Sequence, residues 1–300
     1  MHPALSVIIF TTFSGMGYGL FIWLCANILM GERLTQDQII YGTGFSFVLV
    51  TIGLLSSTIH LGHPERAWRA FSQWRTSWLS REGIMAILTY GPMVIIGGNQ
   101  FLNLGLNALI PIMAVLGILG SIVTVFTTSM IYASLKAIPA WHNNWVKIGY
   151  QIFALSSGGV AYIMIAGWQH YMVVVTLLIL ALAVKIMTWA HIDKHRGQYK
   201  REDALGLPDF GKARPFEPAH QGQNYLQREM GYELCPKRRA MMRWLALGCG
   251  FILPAVLLYI GLPVAILITL ICLGGMMAER WLFFAEAEHV VRLYYDKDTV

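Results

Sequence analysis

The sequence predicts an all-α integral membrane protein, a bundle of about eight transmembrane helices with both termini in the cytoplasm. Three observations predict it. Of 300 residues, 56% are apolar and only 13% charged, against roughly a quarter charged in a soluble domain. Segment after segment is long and apolar enough to cross a bilayer, which takes about 20 residues. The 22 Lys and Arg are segregated, with only Arg33 on one of the two faces between which the segments alternate.

The segments run over 5–30, 39–60, 84–101, 109–135, 147–168, 171–190, 242–261 and 264–286. The first lacks a basic leader and exceeds the core of a signal peptide, so it is expected to stay as a span. The connections 31–38, 102–108, 169–170 and 262–263 are short and nearly uncharged, whereas 61–83, 136–146, 191–241 and the C-terminal tail are longer and basic. Lys and Arg near helix ends mark the cytoplasmic side, which places the long loops and both termini there. The sequence thus divides into 1–190 with six spans, a cytoplasmic arm at 191–241, and 242–300 with two spans and the tail.

Within 61–83, Ala67, Trp68, Phe71, Trp74 and Trp78 recur at helical spacing, with Arg66, Arg69 and Arg75 largely between them. This is the pattern of an amphipathic helix lying in the interface, with or without a further duty. The arm carries His191, Lys194, His195, Arg196, Lys200 and Arg201, then Pro208, Pro215 and Pro218, then Lys237, Arg238 and Arg239. Its Phe210, Phe216, Tyr225, Leu226, Met230 and Tyr232 are anchors a solvated tail does not need, so it is expected to fold against something else. Gly15 and Gly19 predict a close helix contact, and Pro92 and Pro254 predict bends in the third and seventh spans.

Ionisable groups at membrane depth are costly and mark function. His60, Glu82, Glu279 and Arg280 fall near the cytoplasmic ends of the second, third and eighth spans and are expected to converge at one depth. Lys185 is expected to snorkel to the interface. A quinone needs hydrogen bonds at two carbonyl oxygens and a proton relay, which a histidine and a partly buried carboxylate supply. The alternative reading makes His60 an interfacial residue and Glu82 an acid facing the helix dipole. A haem needs histidines inside helices, ideally on facing ones. Here His60, His191 and His289 lie at helix ends and His170 at the opposite surface, so haem b is the weaker reading. The cysteines Cys25, Cys235, Cys249 and Cys272 are scattered singly, and no metal ligand set is expected. If the protein handles electrons, its iron–sulfur clusters sit on another polypeptide. Against a transporter stand the lack of paired interrupted helices and of acids mid-membrane in the first seven spans.

His60-Leu61-Gly62-His63-Pro64-Glu65-Arg66-Ala67 resembles the His-Leu-Gly-x-Pro-x-Arg-Ala segment of the dimethyl sulfoxide reductase membrane-anchor family. Leu79-Ser80-Arg81-Glu82 resembles its Leu-Ser-x-Glu. Tyr132 with Pro139, Trp141 and Trp145 resembles its Tyr…Pro-x-Trp-x-x-x-Trp stretch, and Phe10-Thr11-Thr12-Phe13 and Arg280 fit as well. The resemblance implies a multi-pass subunit of the bacterial inner membrane that holds an iron–sulfur subunit and a molybdopterin catalytic subunit. Such an anchor exchanges electrons with ubiquinone or menaquinone, typically without haem, has no catalytic residues for the molybdenum chemistry, and binds no nucleic acid. His60 and Glu82 match family positions associated with the quinone, and Arg66 matches a structural or quinone-proximal one. Two features depart from the best-known members: the partner face carries the positive charge of a cytoplasmic side, and the arm 191–241 is long. Both, with Asn224-Tyr225-Leu226…Glu229-Met230-Gly231-Tyr232, look like the branch serving cytoplasmic sulfite dehydrogenase (sulfite:quinone oxidoreductase).

The expected quinone set is therefore His60, Arg66, Glu82, Arg280 and Arg243. The expected docking set is Arg69, Arg75, Arg196, Arg201, Tyr225 and Tyr232, facing an acidic partner. The alternatives are the same anchor oxidising quinol for a dimethyl sulfoxide reductase-type terminal reductase, a haem b cytochrome, and a transporter.

Overall fold

Inside hydrocarbon each backbone N–H and C=O must find its partner within the segment, so apolar runs of this length become helices. The computed structural model describes residues 2–32, 34–59, 63–207, 211–214, 216, 222, 224–295 and 297–300. Its spanning helices are α1 (Leu5–Met30), α2 (Gln36–Thr58), α3 (Trp78–Leu102), α4 (Ile110–Ala133), α5 (Asn144–Ala166), α6 (Tyr171–His195), α7 (Pro236–Ile260) and α8 (Ala265–Ala285). Among the described residues the only strand-like pairing is an isolated bridge between Lys200 and Thr299.

Local chemistry sets the boundaries. Thr35 opens α2 with a capping box shared with Gln38. The Ser77 and Asn143 side chains accept the N–H of Ser80 and Val146 at the starts of α3 and α5. Gly31 and Gly261, at φ 71° and 77°, end α1 and α7 in the left-handed region.

At the centre, α1 packs on α2, α4, α5 and α8. The crossing with α5 is backbone on backbone: a Cβ on Gly19 would fall 1.8 Å from the Ala154 carbonyl oxygen, and one on Gly158 2.2 Å from the Gly19 carbonyl carbon. The expected small-residue contact thus exists at Gly19, but its partner is Gly158. A Cβ on Gly15 would meet nothing within 4 Å. In α7, Pro254 has no N–H to offer the Gly250 carbonyl. The backbone widens into a π turn over Gly248–Ile252, and the Cys272 thiol of α8 reaches that carbonyl at 3.6 Å. The helix α3 stays continuous through Pro92.

Three expected boundaries shift. The third span begins at Trp78 rather than at 84, and the interfacial segment is a 3-10 helix over Pro64–Gln73 with no buried residue. Arg81 stacks on the Trp78 ring at 4.2 Å, which lets polar residues serve as its first turn. Helix α6 runs to His195 and α7 starts at Pro236, so the arm proper is 196–235. That arm folds against the protein's own termini. Tyr199 and Val300 exchange backbone bonds of 3.0 and 2.9 Å, and the His2 N–H reaches the Glu229 carbonyl at 2.9 Å. Pro208, Phe210, Pro215 and Pro218 lie outside the described residues, and Phe216 is exposed.

Candidate functional site

A cavity of about 540 Å³ opens between α1, α2, α3 and α4 beneath the 64–73 segment. Phe10, Leu54, Leu79, Phe71 and Tyr132 make its apolar walls, and His63, Arg66 and Glu82 bring polar groups. Gly83 lets the lid close: a Cβ there would lie 2.7 Å from the Phe71 ring. The size falls within the range of small-molecule pockets, roughly 300–1,000 Å³.

Glu82 sits in the second turn of α3, 4% exposed, and points across to α4 rather than along the helix start. Its carboxyl bonds to the Thr128 hydroxyl, which also lies 2.9 Å from the Thr124 carbonyl. A buried carboxylate with a single neutral partner among the described residues is costly in its charged form. Arg66 is largely exposed at the mouth, its Nε 3.7 Å from Glu65. The expectation for His60 lies outside the described residues, while Thr58 and His63 on either side of it in sequence line the cavity.

A second charged group lies between α6 and α8. The Lys185 ammonium is 2.5 Å from one Glu279 oxygen, and the Arg280 Nε is 3.1 Å from the other. Lys185 does not snorkel as expected. It is 2% exposed because Glu279 offers an anion at depth, while the Trp189 ring lies 4.7 Å from the ammonium. Arg280 lies 3.9 Å over the Tyr150 ring, and Tyr150 stacks at 5.9 Å on Tyr132, a wall of the cavity. Arg280 thus approaches the cavity through Tyr150 and Tyr132. Arg243 is not brought there: it bonds Asp193 at 2.6 and 3.0 Å and Glu286 at 2.8 Å, joining α6, α7 and the end of α8.

Of the residues expected to dock a partner, Arg69, Arg75, Arg196 and Tyr225 are exposed. The Arg69 and Arg75 guanidinium groups lie 5.7 and 5.4 Å from the rings of Trp68 and Trp74. Arg201 instead bonds the Leu293 and Lys297 carbonyls, both at 2.9 Å, and pairs with Asp298. Tyr232 packs edge-on against His2 and Trp281. Both therefore serve the fold. Among the described residues no three His, Cys, Asp or Glu groups gather as metal ligands.

Sequence reasoning missed Thr128, Tyr150 and the burial of Lys185. A signal existed for the first: Ser121, Thr124 and Thr128 recur at three- and four-residue spacing along an apolar span, and all three are buried.

Residues 1–285 match the DMSO reductase anchor subunit (DmsC) family. The C subunit of sulfite dehydrogenase from Allochromatium vinosum is 30% identical, over 98% of this sequence and 99% of that protein. The C polypeptide of anaerobic dimethyl sulfoxide reductase from Escherichia coli K12 is 27% identical, over 68% of this sequence and 75% of its own length.

Proposed function

The chain belongs to the DMSO reductase anchor subunit family, and on that premise we propose that it passes electrons from a partner iron–sulfur subunit to a membrane quinone. The carrying observation is Glu82, a buried carboxyl with one hydroxyl partner among the described residues, in a cavity walled by apolar side chains with Arg66 at its mouth. When bound, the quinone supplies a two-electron, two-proton carrier. Glu82 would hold a proton for a carbonyl oxygen, His63 and Arg66 would offer hydrogen bonds at the mouth, and His60 belongs to the same proposed set. Phe10, Phe71 and Tyr132, which line the cavity, would exclude water from the bound ring. Arg280 acts at a distance through Tyr150 and Tyr132.

The basic face would dock the iron–sulfur subunit, with Arg69, Arg75, Arg196 and Tyr225 outward, and a molybdopterin catalytic subunit would follow. The charge segregation supports a bacterial inner-membrane setting with that face cytoplasmic. The full-length match to the C subunit of a sulfite dehydrogenase favours sulfite as the donor. A second reading, quinol oxidation for a terminal reductase, is favoured by the match to the dimethyl sulfoxide reductase polypeptide.

The test uses membranes carrying the whole complex and decylubiquinone as acceptor. Glu82→Gln is expected to lower sulfite-driven quinone reduction about a hundredfold, while sulfite-driven ferricyanide reduction by the partners stays unchanged. Wild-type quinone turnover in Glu82→Gln and His60→Ala complexes of normal abundance would remove the site.

A further inference from the structure

We infer that protons reach Glu82 from inside the bundle, along a path beneath α1 that joins the Lys185–Glu279–Arg280 cluster to Thr128 through a water site. The inference rests on the quinone reading of the Glu82 cavity. Between α1, α4, α5 and α8 lies a void of about 20 Å³, the size of one water. Thr12, Tyr18, Thr128, Tyr150 and Arg280 line it. Among the described residues, Thr12 Oγ1 and the Tyr18 and Tyr150 hydroxyls are buried without a well-aligned hydrogen bond. Tyr18 has Thr124 beside it and Tyr150 has Arg280. Buried hydroxyls are costly unless satisfied, and a water making about three bonds satisfies several at once.

Both ends of the void are connected. At one end Thr128 bonds Glu82. Its hydroxyl carries one proton but faces two acceptors, the Glu82 carboxyl and the Thr124 carbonyl. With Glu82 protonated, Thr128 accepts from it and donates to Thr124; with Glu82 ionised, Thr128 donates to it. At the other end Tyr150 and Arg280 also line a second small pocket, shared with Lys185, Thr188 and Glu279. That pocket reaches Trp145 in the first turn of α5, at the end of the bundle.

The transfer balances. Thr128 gives its proton to Glu82 and takes one from the water, the water takes one from Tyr150, and Tyr150 is refilled by water in the second pocket, while Glu279 stays ionised between Lys185 and Arg280. Solvent at the bundle end restores that water, so only Glu82 gains a proton. Thr128 and Tyr150 are positioning residues in this scheme, acting through Glu82.

The test measures kcat and KM for decylubiquinone in membranes bearing the complex, in H2O and in D2O, for Thr128→Val, Thr128→Ser and Tyr150→Phe. The valine and phenylalanine variants are expected to lose kcat about tenfold, with KM unchanged and a larger deuterium effect. Thr128→Ser keeps the hydroxyl and is expected to match the parent, which separates relay from packing. If Thr128→Val does not assemble, Tyr150→Phe carries the test alone, because it keeps the ring stack on Tyr132. Parent-like kcat in both variants, with Glu82→Gln inactive, would overturn the path and leave protons entering by the cavity mouth. Parent-like kcat in Glu82→Gln as well would instead overturn the quinone reading.

Discussion

Two of the carboxylates buried near one end of this bundle, Glu279 and Glu82, keep completely different company. Glu279 lies between two cations, Lys185 at 2.5 Å and Arg280 at 3.1 Å. Among the described residues Glu82 has one hydroxyl and a cavity. A carboxylate held by two cations is pinned in its charged form, whereas one held by a hydroxyl can take and release a proton at small structural cost. Charge at depth thus plays two parts, holding α6 to α8 in one place and remaining available for chemistry in the other.

The sharpest break of this contrast is Glu279→Gln. It strands two buried cations and is expected to cost about 3–5 kcal/mol of stability, measured as loss of the folded fraction in detergent on heating. Glu82→Gln inverts the pattern. The unfolding midpoint is expected to stay within about 1 kcal/mol of the parent while the hundredfold loss of quinone turnover, about 2.7 kcal/mol of barrier, appears. Equal stability loss in the two variants would erase the distinction.

A smaller effect follows from Gly83→Ala, whose methyl group pushes the Phe71 ring off the cavity. It is expected to raise KM for decylubiquinone a few-fold, roughly 1 kcal/mol, with kcat preserved. The smallest concerns Glu233, a carboxylate outside the membrane, bonded to Arg292 at 2.9 Å and Lys297 at 3.1 Å. Those two partners hold its carboxyl below the usual range. A depressed folded value contributes stability above the ordinary carboxylate value, about 4.3, and loses it as pH falls through the folded one. The tail is therefore expected to stay docked at neutral pH and to exchange amide hydrogens faster only in acid. Glu233→Gln should bring that faster exchange to neutral pH, by well under 1 kcal/mol because the Glu233 carboxylate is largely exposed.

The spans were legible because length and apolarity alone decide what crosses a bilayer, and Glu82 because a carboxylate at depth is conspicuous. Lys185 was not, since its fate depends on Glu279 on another helix, which no window along the sequence contains. Arg243 shows the same limit: its sequence position gives a cation near the membrane end, but Asp193 and Glu286 decide that it ties helices together. Helix starts were misplaced wherever capping and stacking, as at Ser77 and Trp78, recruit polar residues into a span. Thr128 was readable in principle from the hydroxyl stripe of α4.

The backbone contact between Gly19 and Gly158 has a bearing on recognition. With no side chain between them, α1 and α5 cannot slide without collision, so the wall that α1 lends to the cavity is preorganised. A ligand entering meets a surface whose ordering entropy was spent in folding. What remains to be ordered is the exposed 64–73 segment above it, with Arg66 and Phe71. Residence time should therefore be governed by that lid, and variants that stiffen it should slow release without adding a contact to the bound molecule.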